Sequence, residues 1–178
     1  MAHQDAGKKF EESGLVPDIL DSPPGEALKV SYPSGVAPEF GNELTPRQVK
    51  DQPTVTWNAK DGELYTLHMS DPDAPNRQNP EVGPINHWLV VNIPGGNIQA
   101  GQTITEYRGS RPRQNSGLHR YAFMVFRQTG SITVDNPDLA ENRRKFPIRD
   151  FAKQHNLGQP IAGNFYVAQF DDYVASVI

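Results

Sequence analysis

The sequence predicts a mostly-β protein, an antiparallel Greek-key β-sandwich with a few short peripheral helices, and three observations lead there. Residues 63–70, 87–93 and 118–128 are apolar or alternating runs rich in β-branched and aromatic residues, as strands require. The 16 prolines and 15 glycines exceed ordinary usage without any period, as expected of many turns between short strands. Neither an internal repeat nor an alternation of strands with long helical patterns is present, so a solenoid and a parallel βαβ sheet both fail. At 178 residues the chain suits a single domain spanning 1–178, long enough to bury a sizeable core.

Taken in order, Phe10, Leu15, Val16, Ile19 and Leu20 have loosely helical spacing that Gly14 and Pro17 interrupt, which predicts a short helix followed by a capping turn. Ala27 to Tyr32 reads as a strand closed by Pro33-Ser34-Gly35. Thr45 as N-cap and Pro46 at the first helical position predict a helical turn. Thr54 to Trp57 is a short strand ended by Asn58 to Gly62. Glu63 to Ser70 alternates, with Tyr65, Leu67 and Met69 on one face and Leu64, Thr66 and His68 on the other, so His68 is expected to be a half-buried strand histidine.

The stretch from Asp71 to Asn86 carries Pro72, Pro75, Pro80 and Pro84, each fixing φ and lacking a backbone donor, and therefore reads as a stiff loop able to hold a site. His87 to Ile93 follows, with His87, Leu89, Val91 and Ile93 expected on one face and Trp88 and Val90 on the other; both faces look buried, as in a central strand. A weaker strand over Gln102–Tyr107 leads to GSRPRQNSG at 109–117, and the next strand places His119, Tyr121, Phe123 and Val125 on one side. Asp138–Arg144 has helical potential, Ile148–His155 has helical spacing ended by Gly158 and Pro160, and Asn164–Phe170 is a last strand before a tail of at most two helical turns. The total is seven or eight strands.

Composition narrows the function classes. A formal net charge of −4 argues against a nucleic-acid partner. No apolar run reaches the length of a membrane span, and the polar start MAHQDAGKKFEESG shows no signal pattern. Zero cysteines exclude disulfide and thiol chemistry, and no Asn-X-Ser/Thr acceptor occurs. These features lead to the expectation of a cytoplasmic protein with at most peripheral membrane contact.

Two histidines, His87 and His119, head the two most apolar strands, each after a loop rich in Gly, Pro and small polar residues. If the strands lie near each other, the rings converge, and Asp71 joins them. Three chemistries fit such a cluster: imidazoles donating to an anion with Asp71 orienting one ring, a metal site, or a base for a nucleophile. The second loop supports the anion, since Gly109 and Gly117 allow backbone N–H groups to approach and Ser110, Arg111 and Arg113 add donors and charge. The metal reading lacks a tight histidine spacing, and the hydrolase reading lacks a G-x-S-x-G elbow. Two core histidines satisfied by backbone carbonyls remain the plainest alternative.

DPDAP at 71–75, NHWLVVNIPG at 86–95 and GSRP with GLHRYAFMVF across 109–126 resemble the phosphatidylethanolamine-binding protein family, which includes the Raf kinase inhibitor proteins and the plant flowering regulators. LKVSYPSG, LTPRQVKDQPTVTW, KFPIRDFA and IAGNFYVAQFDDYV resemble family segments in the same order. The resemblance implies a Greek-key sandwich with a small anion pocket at one end, which takes phosphate-like groups including the phosphoethanolamine headgroup. It also implies a binding and inhibitory role, toward kinases or proteases in some members, without an established common catalytic activity; modulation of a kinase pathway is one expected output, and neither a metal nor a cofactor is expected. By position, Asp71, His87 and His119 match the pocket residues and Pro75, Gly109, Pro112 and Tyr121 its walls, with a cis bond expected at Ala74–Pro75.

Two departures bear on ligand choice. Val82 to Asn86 lacks the aromatics of many animal relatives, and Arg111 and Arg113 stand where relatives usually have glycine and proline, which adds Arg111 to the candidate binding residues. Expected partners are a phospholipid headgroup or a small phosphorylated ligand, and a kinase or protease, with the chain monomeric. The alternative reading is a protease or kinase inhibitor that works through the loops at 76–85 and 109–117, its pocket vestigial.

Overall fold

The computed structural model describes residues 6–178; residues 1–5, the head of the polar stretch in which no signal pattern was read, lie outside the described residues. Eight strands form a six-stranded sheet in the order β1-β8-β7-β4-β5-β6 and a two-stranded sheet β2-β3. They are β1 (Glu26–Ala27), β2 (Lys29–Ser31), β3 (Thr54–Thr56), β4 (Leu64–Asp71), β5 (Ile85–Pro94), β6 (Gln102–Thr105), β7 (His119–Gln128) and β8 (Ala162–Ala168). The mostly-β expectation holds, with a few short helices: α1 (Ala6–Glu12), the single turn α2 (Leu15–Asp18), α3 (Ile148–Gln154) and α4 (Asp172–Val177).

The sheet is mixed, which corrects the antiparallel expectation: β1 runs parallel to β8, whereas β4, β5, β6, β7 and β8 pair antiparallel. The segment read as one strand from Ala27 to Tyr32 divides at Leu28. Its first part bonds along the β8 edge through Glu26 N–H to Ile161 O and Leu28 N–H to Gly163 O, and its second crosses to β3. A strand of two residues carries too little pattern to reveal its partner's direction. The capping reading at Thr45 holds, because Thr45 Oγ1 accepts from Gln48 N–H at 3.2 Å while Gln48 Oε1 accepts from Thr45 N–H at 3.0 Å.

Both faces of the central sheet are buried. Tyr65, Leu67, Met69, Trp88, Val90, Tyr121, Phe123 and Val125 meet Val30 and Val55 of the small sheet in one cluster. On the other side Leu89, Val91, Ala122, Met124, Phe126 and Phe165 pack under Phe10, Leu15, Ile19 and Leu20 of the N-terminal helices and under Ile148 and Phe151 of α3. Phe10 sits edge-on to Phe165 at 5.4 Å. Glycine at 163 permits this approach, since a Cβ there would lie 2.8 Å from the Phe10 ring.

Strand β5 departs from simple alternation twice. Tyr65 pairs with Ile93 but Leu67 with Val90, so one extra residue is accommodated near Asn92, whose φ is 54°. Met69 pairs with Trp88 but Ser70 with Asn86, which leaves His87 as the extra residue of a second bulge. The expectation that His87 and Ile93 share a face with Leu89 and Val91 is therefore corrected: Ile93 joins Trp88 and Val90, and the His87 ring lies against Tyr121. Among the described residues no helix is long and apolar enough to cross a membrane.

Candidate functional site

In the sheet β4 lies between β7 and β5, so the end of β4 at Asp71, the bulge at His87 and the start of β7 at His119 meet along one edge. Tyr121 stands two residues beyond His119 on the same face. Its ring is the floor: His119 stacks on it at 6.1 Å and 9°, His87 meets it edge-on at 5.4 Å, and Tyr166 of β8 stacks behind it at 5.2 Å. Asp71, His87, His119 and Tyr121 are all buried.

Hydrogen bonds orient the polar groups. His119 Nδ1–H donates to Asp71 Oδ2 at 2.9 Å, and Asp71 Oδ1 accepts from Asp73 N–H at 2.7 Å. His119 Nε2 lies 2.9 Å from Ser116 Oγ, whose own proton goes to Arg113 O at 2.6 Å. His87 Nδ1–H donates to Arg108 O at 2.8 Å, which fixes the tautomer and leaves Nε2 without a partner among the described residues. Burial lowers the His87 pKa, Asp71 works against that, and Arg143 and Arg108 reinforce it. The ring is thus held neutral with a free lone pair at Nε2.

Burial first, and then the Asp71 charge, raise the Tyr121 pKa well above its ordinary value, so this phenol keeps its proton. Its hydroxyl lies close enough to Asp71 and Ser110 for both to act on its pKa as side-chain hydrogen-bond neighbours, but meets neither in good hydrogen-bond geometry, and Ser110 Oγ is taken by the Tyr166 hydroxyl. A buried O–H without an acceptor costs about 1–3 kcal/mol. The edge thus presents one orphaned donor, one free imidazole nitrogen and one carboxylate-backed imidazole.

The candidate residues do not all gather there. Gly109 and Pro112 are buried in the loop that presents Ser110, and Arg111 between them is exposed. Pro75 is half-buried and follows a cis bond, as expected, but takes no part in the ring contacts of the cluster. The middle of the proline loop faces elsewhere: Pro80, Gly83 and Pro84 line a cavity of about 350 Å3 with Asp18, Asp73, Arg77 and Arg120. His68 is fully buried rather than half-buried, donating Nδ1–H to Trp88 O at 2.8 Å. Among the described residues no group of three His, Cys, Asp or Glu side chains is arranged to hold a metal.

Sequence reasoning missed Tyr166, Ser116 as the partner of His119, Arg108 and Arg143. The Arg143 guanidinium donates to Asn86 O and His87 O at 3.2 Å each and to Glu106 O at 2.9 Å, contacts between segments more than thirty residues apart. Nothing local in the 138–144 link signals them. Tyr166 becomes legible only once the β7–β8 register pairs it with Tyr121.

Gly109 couples this loop to the rest of the fold, because a Cβ there would lie 2.7 Å from Val49 O. Gly109→Ala must move main chain against main chain. We expect about 1–3 kcal/mol of destabilisation in urea unfolding, together with displacement of Ser110 and loss of ligand affinity at the site. Unchanged stability would separate the loop from the 47–49 turn.

Residues 24–166 match the profile of the family described as Phosphatidylethanolamine-binding protein. The chain belongs to this family. Among curated relatives of this chain are the "Putative odorant-binding protein A5" of Drosophila melanogaster, 38% identical over 95% of this chain and 82% of that protein, and the "26 kDa secreted antigen" of Toxocara canis, 44% identical over 92% of this chain. The match spans 64% of the antigen, just under two thirds of its length. Among solved structures, a carboxypeptidase Y inhibitor in complex with its cognate proteinase superposes with a TM-score of 0.78 over 95% of this chain and 97% of that chain. At 24% identity that likeness speaks for the fold.

These proteins carry names of binding, antigen and inhibitor proteins, not of enzymes. The cytoplasmic expectation is corrected by the two relatives, whose names point to an extracellular setting. The reason lies in the core: a chain of this size buries enough apolar surface to fold without disulfides, so a lack of cysteine does not mark a reducing compartment.

Proposed function

We propose that this member of the family is a non-enzymatic binding and regulatory protein whose site takes a phosphate-like anion, either a phosphoethanolamine-type lipid headgroup or a small phosphorylated ligand. His119 and His87 hold the anion, Asp71 orients His119, and Tyr121 donates from the floor; Gly109, Pro112 and Pro75 form walls and Arg111 stands at the rim. The chain acts as one domain and as a monomer. One observation supports the reading: the buried Tyr121 hydroxyl, which makes no hydrogen bond among the described residues, and the His87 ring, whose hydrogen bond there is made by Nδ1 alone, meet at one aromatic floor beside the His119–Asp71 pair. An anionic acceptor satisfies the Tyr121 hydroxyl directly, and His87 once Nε2 has taken up a proton.

The protonation chemistry follows from the His87 tautomer. Its pKa is lowered by burial in the free protein, and a bound anion raises it, so binding takes up a proton at Nε2 and affinity rises as pH falls. Sulfate isolates this effect because it does not itself titrate near neutrality. Isothermal titration with sulfate is expected to give tighter binding at pH 6 than at pH 7.5, and phosphoethanolamine binding at pH 6 is expected to fall at least tenfold in both His87→Ala and His119→Ala. Unchanged affinity in both variants overturns the site. Capture of a kinase or protease that survives loss of both histidines instead favours inhibition through the loops at 76–85 and 109–117.

A further inference from the structure

Three arginines, Arg108, Arg111 and Arg143, stand on the segments that flank the proposed pocket. Arg108 is tied to His87 in both directions, its N–H donating to His87 O at 2.9 Å and its own carbonyl accepting from His87 Nδ1 at 2.8 Å. Arg143 reaches across the same strand end to Asn86 O and His87 O, each at 3.2 Å. Arg111 projects into solvent between the buried residues Ser110 and Pro112.

These groups feel one another. Burial and then Arg108 and Arg111 lower the Arg143 pKa to about 10, and burial and Arg111 lower that of Arg108. Glu106 and Glu141 act in the opposite sense on Arg143, yet among the described residues the salt-bridged arginines are Arg120, Arg127 and Arg149, none of these three. Like charges gathered at a rim without a close counter-ion raise the local potential and favour an incoming anion. Guanidinium is suited to carboxylate and phosphate because its planar fork offers paired donors.

We propose that the ligand carries two anionic groups: a phosphate monoester held at His87, His119 and Tyr121, and a second carboxylate or phosphate held by Arg108, Arg111 and Arg143. This inference rests on the anion-pocket reading and narrows its ligand class. A zwitterionic headgroup places an ammonium where the guanidinium groups stand. A doubly anionic ligand places a counter-ion there.

Phosphoethanolamine and O-phosphoserine differ by one carboxylate, which makes them a matched pair for calorimetric titration. O-Phosphoserine is expected to bind about tenfold tighter or more, the scale of one or two charge-assisted hydrogen bonds. That ratio is expected to fall toward one in Arg111→Gly and in Arg108→Gln; Arg143 is left in place because it braces the β5 main chain. Phosphoethanolamine binding with no preference for O-phosphoserine, or a preference preserved in both variants, overturns the second subsite while leaving the pocket standing. Failure of both ligands to bind overturns pocket and subsite together.

Discussion

Replacing Asp73 by alanine is expected to destabilise the protein by about 3–5 kcal/mol, the scale for removing one partner of a buried ion pair. Arg120 is 3% exposed and Asp73 1%. Asp73 Oδ2 accepts from Arg120 N–H at 2.8 Å and Nε–H at 2.9 Å, and Oδ1 accepts from the Arg120 guanidinium at 2.7 Å. Burial opposes the charge on Arg120, but Asp73 and Asp18 outweigh it and hold the pKa above the ordinary value. Without Asp73 the cation keeps only Asp18 at 2.9 Å and Ser13 O at 2.9 Å. Asp18→Ala is the matched control: its side chain is 50% exposed, and such a pair contributes about 1 kcal/mol or less.

The measurement is urea unfolding followed by circular dichroism. With a slope of about 1–3 kcal/mol/M, the Asp73→Ala midpoint should drop by more than 1 M while that of Asp18→Ala barely moves. Equal losses in the two variants would show that water reaches Arg120. Asp73 N–H also holds Asp71 Oδ1 at 2.7 Å, so the stiff turn after β4 joins the buried ion pair on one face of the sheet to the histidine cluster on the other.

The second large effect is a loss of stability in mild acid that traces to His68. Burial lowers its pKa from 6.5 to about 3, the Trp88 carbonyl pulls in the opposite direction, and His87 adds a small further lowering. Nε2 is buried without a partner, and Phe146 packs on the ring at 5.2 Å, so a second proton has no acceptor. The sign follows from linkage. Between pH 6.5 and 3 the unfolded chain binds a proton at this residue and the folded chain does not, so stability is full above pH 6.5 and declines as pH falls. From pH 7 to pH 5 the loss from this one side chain is about 2 kcal/mol.

His68→Asn keeps a donor for the Trp88 carbonyl and cannot titrate. Unfolding free energies of the wild type and this variant, measured from pH 7.5 to 4.5, should therefore converge as pH falls. Carboxylate contributions are common to both proteins and cancel in the difference. Parallel curves would show that His68 accepts its proton in the folded state.

Much of the fold was legible because the strands announce themselves. Tyr65, Leu67 and Met69, and Tyr121, Phe123 and Val125, lie on the face their alternation predicts. Thr45 caps the turn that Pro46 begins, and the helix over Ile148–Gln154 buries Ile148, Phe151 and Ala152 as its spacing requires. Illegible were the parallel pairing of a two-residue strand and the direction taken by the proline loop. That loop is held by Val82 and Gly83 N–H on Ala74 O, and by Lys145 and Phe146 N–H on Val82 O and Pro84 O. Half of these bonds come from a segment sixty residues away.

For the site, the chemical cast is local and the assembly is not. Asp71, His87, His119 and Tyr121 are recognisable from their strands and flanking loops, because residue type and period 2 are properties of a short stretch of chain. Period 2 alone puts His87 on the face of Leu89 and Val91, away from His119. The tertiary structure reverses this by inserting His87 as an extra residue opposite Met69 and Ser70, so that its ring turns to Tyr121. A bulge is a relation between two strands, set by the register of β5 on β4. The chain alone therefore determined which groups are available, and the pairing of its strands decided that both histidines share one aromatic floor, with Arg108 and Arg143 at its rim.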